Sequence, residues 1–87
     1  MSFTPGFAPD AASQLRVMDS EAQEVAIDEL DRLTLNPPKE DDHVAAVSWE
    51  QAPLRHTVFV HVLIDRARQV ITVVGVGHVT RPIQASQ

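Results

Sequence analysis

Residues 56–77, "HTVFVHVLIDRARQVITVVGVG", decide the fold. Two runs dense in Val, Ile and Thr flank the single polar break "RAR", and such runs bounded by a short polar segment read as an antiparallel β-hairpin. "RAR" has no Gly, Asn or Asp, the residues that two-residue primed turns strongly prefer, so a loop of three or more residues is expected. A three-residue loop, Arg66 to Arg68, sets Asp65 against Gln69, Val60 against Val74 and His56 against His78. Alternation then gives two faces. Val58, Val60, Val62 and Ile64 face a core together with Val70, Thr72, Val74 and Val76. Thr57, Phe59, His61 and Leu63 lie on the other face with Gly75 and Gly77. The glycines leave that face open near the expected strand end, as glycine does where a ligand or another backbone approaches. They could equally mark a bulge, with the histidines as plain edge residues.

Upstream the period changes. "MSFTPGFAP" can hold a short edge strand around Ser2 to Thr4, ended by Pro5. Asp10 is a candidate N-cap for a short helix with Ala11, Leu15 and Met18 on one face, stopping near Asp19. Ser20 and Gln23 have capping-box spacing, and Ala22, Ala26, Leu30 and Leu33 recur at helical spacing behind them. "NPP" at 36–38 stops that helix, because proline lacks the donor and restricts its neighbour. "HVAAVSW", His43 to Trp49, can form a third strand, weakened by its two alanines, and "EQAP" turns the chain into the hairpin. Helices grouped ahead of antiparallel strands predict an α+β fold, two N-terminal helices on one face of a small antiparallel sheet, in a single domain over residues 1–87.

Composition narrows the chemistry. The chain has 87 residues, 44% hydrophobic and 22% charged, ordinary values for one small domain. It has no cysteine, which removes disulfides, thiolate catalysis and Cys-based zinc sites. "MSFTPGFAPD" lacks a basic segment followed by an apolar one, and no stretch approaches the apolar length of a membrane span, so a cytoplasmic protein without a membrane partner is expected. The net charge is −5, unfavourable for a nucleic-acid binder. Its distribution is uneven: the first 43 residues carry three basic residues against ten acids, whereas residues 44–87 carry Arg55, Arg66, Arg68 and Arg81 against Glu50 and Asp65.

Histidine without cysteine raises the question of metal. His56 and His78 could supply two ligands, but no acid clearly completes a site, so no metal and no cofactor is expected. No GxSxG elbow and no phosphate-cradling glycine loop is present. A histidine with arginines at a sheet edge does suit RNA phosphodiester cleavage, since imidazole moves protons near neutrality and guanidinium groups stabilise the phosphorane. His78, Arg81 and Arg55 are the catalytic candidates; His56, Gly75, Gly77 and Phe59 are binding candidates. Phe3, Phe7, Trp49 and Phe59 are either all core or partly exposed for a partner.

The stretches "FTPGFAPDAASQLRVMDSEAQEVAIDELDRLTLNPP" (3–38) and "VFVHVLIDRARQVITVVGVGH" (58–78) resemble the RelE/ParE toxin superfamily in the order strand, two antiparallel helices, central hairpin ending in Val-Gly-His. The resemblance implies a component of a type II toxin–antitoxin system neutralised by a cognate antitoxin. RelE-like members cleave mRNA on the ribosome, and ParE-like members inhibit gyrase. The chain departs from the nuclease pattern in having no tyrosine and in carrying Phe59 near the position of a frequent strand arginine. Arg55, His78 and Arg81 remain as matches to the basic site. A toxin-like protein with a degenerate nuclease site, acting through binding to antitoxin, gyrase or another host target, is the first reading. A ribosome-dependent mRNA endonuclease using His78 with Arg55 and Arg81 is the alternative.

Overall fold

The computed structural model describes residues 3–84. In chain order the elements are β1 (Thr4–Phe7), α1 (Pro9–Arg16), α2 (Ser20–Leu35), β2 (Asp42–Gln51), β3 (Leu54–Asp65) and β4 (Val70–Pro82). They form one four-stranded sheet, in the order β1-β4-β3-β2, under a layer of two helices. The α+β class with paired N-terminal helices is as expected. The sheet is mixed, because β1 runs parallel to β4 while the other neighbours are antiparallel.

β1 lies later than expected and runs through Pro5, with Ser2 outside the described residues. Thr4 N–H donates to Gln69 O at 2.8 Å and Ala8 N–H to Val73 O at 2.9 Å. By alternation Pro5 therefore turns its nitrogen to the open edge, where a missing donor costs no ladder bond. α1 starts at Pro9, one residue ahead of the expected cap: Ala8 is the N-cap, Pro9 occupies the first turn and Asp10 sits inside it. Proline suits that position because the first N–H groups have no intrahelical partner.

α2 begins and ends where the sequence predicts, and its Ala22, Ala26, Leu30 and Leu33 are buried. The capping box does not form. Asp19 is the N-cap without a side-chain bond, and Gln23 Nε2 instead donates to Leu15 O at 2.8 Å, closing the end of α1. On the same helix Glu29 is buried and pairs with Arg32, and both the bond and the charge raise the Arg32 guanidinium further above its ordinary range. No helix is long and apolar enough to cross a membrane among the described residues.

The expected core face of β3 is correct: Val58, Val60, Val62 and Ile64 are all buried. Its partner positions on β4 are not those expected. The connecting loop has four residues, with Gln69 at φ 56° and Arg68 N–H donating to Asp65 Oδ1 at 3.1 Å, so Asp65 pairs with Val70 and Ile64 with Ile71. Ile71 and Val73 then enter the core, and Thr72 turns outward. A bulge follows between Val73 and Gly75, where Val74 has no partner, and beyond it Val60 faces Val76, not Val74. This extra residue has a physical reason. Continued without it, the first register would carry Gly75 and Gly77 to the core and Val76 to solvent; one inserted residue reverses that.

β4 also continues past Gly77 to Pro82, so the glycines lie inside the strand. β2 and β3 are likewise longer than expected and meet at a two-residue turn, Ala52 and the cis-linked Pro53, that sets Gln51 against Leu54.

Candidate functional site

The face of the sheet away from the helices carries the even-numbered residues of β2, the odd-numbered residues of β3 and, beyond the bulge, the odd-numbered residues of β4. Near the chain's last strand end this face holds a cavity of about 370 Å³ lined by Ser48, Arg55, Thr57, Phe59, Val79 and Arg81. The register assembles it, since Arg55 faces Arg81, Thr57 faces Val79 and Ser48 faces Thr57. Ser48 Oγ and Thr57 Oγ1 share a hydrogen bond of 2.8 Å. A second hollow continues past Arg55 and Arg81 to Pro82, Ile83 and Gln84.

Two guanidinium groups directly opposite one another repel, and such a pair is tolerated where an anion stands between or beside them. Arg55 already has one: its Nε donates to Glu50 Oε2 at 3.1 Å. Arg81 is exposed and forms no ion pair among the described residues.

Gly77 faces Phe59 and Gly75 faces His61, each two residues along β3 from the partner expected. Both glycines do lie on the open side. Neither has positive φ. A Cβ added at Gly77 would meet nothing within 4 Å, whereas one at Gly75 would touch His61 Cβ at 3.8 Å. The missing side chains, not the backbone angles, are what the glycines contribute. They leave Phe59, 39% exposed, standing beside an empty strip.

His78 is not part of this cavity. It projects from the helix face with His56, because both are even-numbered on strands whose even residues face inward at this end. Neither is the other's cross-strand partner, for His56 faces Thr80 and His78 faces Val58, yet His56 Nδ1 and His78 Nε2 are hydrogen-bonded at 3.0 Å. Their ring centroids are 5.2 Å apart at an interplanar angle of 18°. That separation is close to the contact distance plus two ring radii, so the rings lie end to end. Each ring therefore spends one nitrogen on the other. Trp49 stacks on His56 at 4.9 Å and 6°, lies 6.0 Å from His78, and donates its Nε1–H to Glu21 Oε1 at 3.2 Å.

Trp49 and Glu21 are therefore residues that the sequence reading did not connect to the histidines. The signal for Trp49 was available in the two-residue turn, which fixes Trp49 opposite His56. Phe3 and Trp49 pack against the core, while Phe7 and Phe59 are about two-fifths exposed, so the four aromatics divide between the two expectations. His61 is on the open face, as parity predicts, where its Nε2 is bonded to Asp42 Oδ1 at 2.6 Å. Six residues from Arg55 along an extended strand, it is about 20 Å away.

Neither a protein-family model nor a curated protein matches the sequence. Solved structures do. An arginine double mutant of the Escherichia coli toxin RelE in its free state superposes with a TM-score of 0.68 at 14% identity, covering 88% of this chain and 83% of that one. The chain has the RelE toxin fold. Two RelE complexes agree: the toxin–antitoxin complex RelBE2 from Mycobacterium tuberculosis gives a TM-score of 0.65 at 14% identity, covering 91% of this chain and 100% of that one. The archaeal RelE–RelB complex from Pyrococcus horikoshii gives 0.60 at 14% identity over 87% and 93%. In this RelE-like chain, the cavity lies on the sheet face opposite the helices, and the histidine pair lies beneath them.

Proposed function

We propose that this chain is the toxin component of a type II toxin–antitoxin pair, held by a cognate antitoxin, and that it acts by binding a host protein through the open face of its sheet. The RelE fold supports the class, and two of the structures it matches are a toxin–antitoxin complex and a RelE–RelB complex. The observation that carries the binding mechanism is the division of the basic candidates: Arg55 and Arg81 share the open face, while His78 is turned to the opposite face and engaged by His56 and Trp49. A phosphate held by the two arginines is out of reach of that imidazole. Glu50 on Arg55 further weakens the cavity as a phosphate clamp, and the apolar neighbours Phe59 and Val79 suit a protein surface. This reading assigns the protein to the cytoplasm.

RNA cleavage is the competing mechanism, favoured by the facing arginines alone. The deciding experiment is induced expression with and without the product of the adjacent reading frame, combined with translation-coupled RNA cleavage and gyrase supercoiling assays. Growth arrest relieved by the neighbouring product, with no mRNA cleavage, is expected. Cleavage lost in Arg81→Ala would establish the nuclease instead. Absence of growth arrest together with elution as a lone protein after co-expression would remove the toxin assignment.

A further inference from the structure

The three strands that could expose an edge are not treated alike. β1 is four residues long and carries Pro5 and Gly6. β4 extends past β1, but Gln14 Oε1 accepts the outward N–H of Val76 at 3.0 Å and the strand ends in Pro82. Shortness, proline and a covering side chain are the usual defences of a sheet edge against further pairing. β2 has none of them. Its ten residues, "DHVAAVSWEQ", contain no proline, lysine or glycine, pair with β3 without a bulge, and have no strand on the other side among the described residues.

Which groups the edge offers follows from one bond. Ile64 N–H donates to Asp41 O at 2.8 Å, in the register that continues into Asp42 opposite Leu63. Antiparallel strands alternate, so the odd residues of β2 bond to β3, and Asp42, Val44, Ala46, Ser48 and Glu50 turn their N–H and C=O groups outward. The flanking side chains are small or half-exposed; Val44 is 55% exposed.

We propose that β2 is a homodimer interface, with β2 of a second copy added antiparallel to make one continuous eight-stranded sheet. A two-fold interface must be self-complementary, and this strand meets the requirement. Outward residues must pair with outward residues, so even numbers meet even numbers, and both helix layers lie on the same side. Centring the two-fold axis on Ala45 sets each Asp42 against the Ser48 hydroxyl of the other copy, a donor for the carboxylate, and Val44 against Ala46. Centring it on Ala46 would oppose Asp42 and Glu50 twice. Centring it on Val47 would press Glu50 onto Val44 without a donor. The Ala45 register forms four bonded pairs, about eight backbone hydrogen bonds.

The helices leave room. α2 packs chiefly over β3, so the two copies of α2 lie about three strand spacings apart, about 14 Å, against the 8–10 Å that packed helices need.

Light scattering of the purified chain over a range of concentrations tests the proposal. A dimer is expected, converted to monomer by Ala46→Pro with an unchanged circular dichroism spectrum, because that proline removes an outward N–H only, as Pro5 does in β1. The chain has no cysteine, so mild oxidation of Ala45→Cys reports the register: facing non-bonded residues have Cα atoms at disulfide distance. Ala45→Cys is expected to crosslink to itself, and Val47→Cys is not. A wild type monomeric at every concentration, or a dimer that survives Ala46→Pro, overturns the interface. A monomeric wild type whose binding to another protein is lost in Ala46→Pro also overturns it, assigning the edge to a foreign strand.

Discussion

His78 and Arg81, three residues apart on β4, project from opposite faces of the sheet: His78 is bonded to His56 under the helices, and Arg81 lines the open cavity across from Arg55. An odd spacing along an extended strand makes this unavoidable. The two residues therefore have separable consequences.

His78→Ala is expected to act on stability. It removes a half-buried hydrogen bond and a ring contact with Trp49, costing about 1–2 kcal/mol, a fall in Tm of roughly 4–8 °C per kcal/mol for a domain this size. Arg81→Ala, at an exposed position, is expected to leave Tm within a degree or two. Thermal melts of the two variants side by side check both; an unchanged Tm for His78→Ala would mean the histidine pair is not formed.

The four-residue loop predicts which β4 side chains matter. Ile71→Ala is expected to cost about 2–5 kcal/mol, the range for truncating a buried aliphatic residue, because Ile71 is fully buried. Val70→Ala, a core position in an unbulged three-residue-loop hairpin, is expected to cost under about 1 kcal/mol. Urea unfolding separates them, and equal losses would restore the register of a three-residue loop.

Gly77→Ala is expected to keep or slightly raise stability, by up to about 0.5–1 kcal/mol, since the added Cβ meets nothing and a strand glycine is entropically costly. A bulkier Gly77→Val fills the strip beside Phe59. It is expected to weaken partner association by tenfold or more, about 1.4 kcal/mol, with Tm preserved. In the proposed toxin a loss of growth arrest on induction reports this, and undiminished arrest would place the host partner elsewhere.

Glu50→Gln frees Arg55 from its only ion-pair partner among the described residues. Affinity for a short polyanion is expected to rise several-fold at low salt and to lose that gain as salt increases, because exposed charges are screened. Arg55→Ala is expected to lower it. Fluorescence anisotropy at two ionic strengths checks the pair, and a salt-independent response would exclude the cavity as an anion site.

Some of the molecule was legible because local rules and tertiary packing agree. The α2 stripe Ala22, Ala26, Leu30 and Leu33 and the β3 stripe Val58 to Ile64 each have one apolar face, so periodicity names the buried side without knowledge of the neighbours. The proline pair at 37–38 ends α2 wherever it packs. The openness beside Gly75 and Gly77 is likewise a property of residues without side chains.

The sequence by itself thus determined the order and type of the elements, the inward face of α2 and β3, and the absence of any cysteine chemistry. It could not determine the pairing of β4. From Val70 to Val76 the side chains are β-branched almost throughout, so either face can be buried and no alternation pins the register; loop length and the bulge at Val74 do so instead. The fourth loop residue put Ile71 and Val73 into the core, and the bulge residue then set Gly77 against Phe59. β1 beside β4 and Trp49 over His78 are contacts between segments distant in the chain, fixed only when the sheet closes. The separation of His78 from the arginines lay in the sequence as parity, but it acquired meaning only once β4 was seen to continue to Pro82, placing His78 and Arg81 on the two faces of one strand.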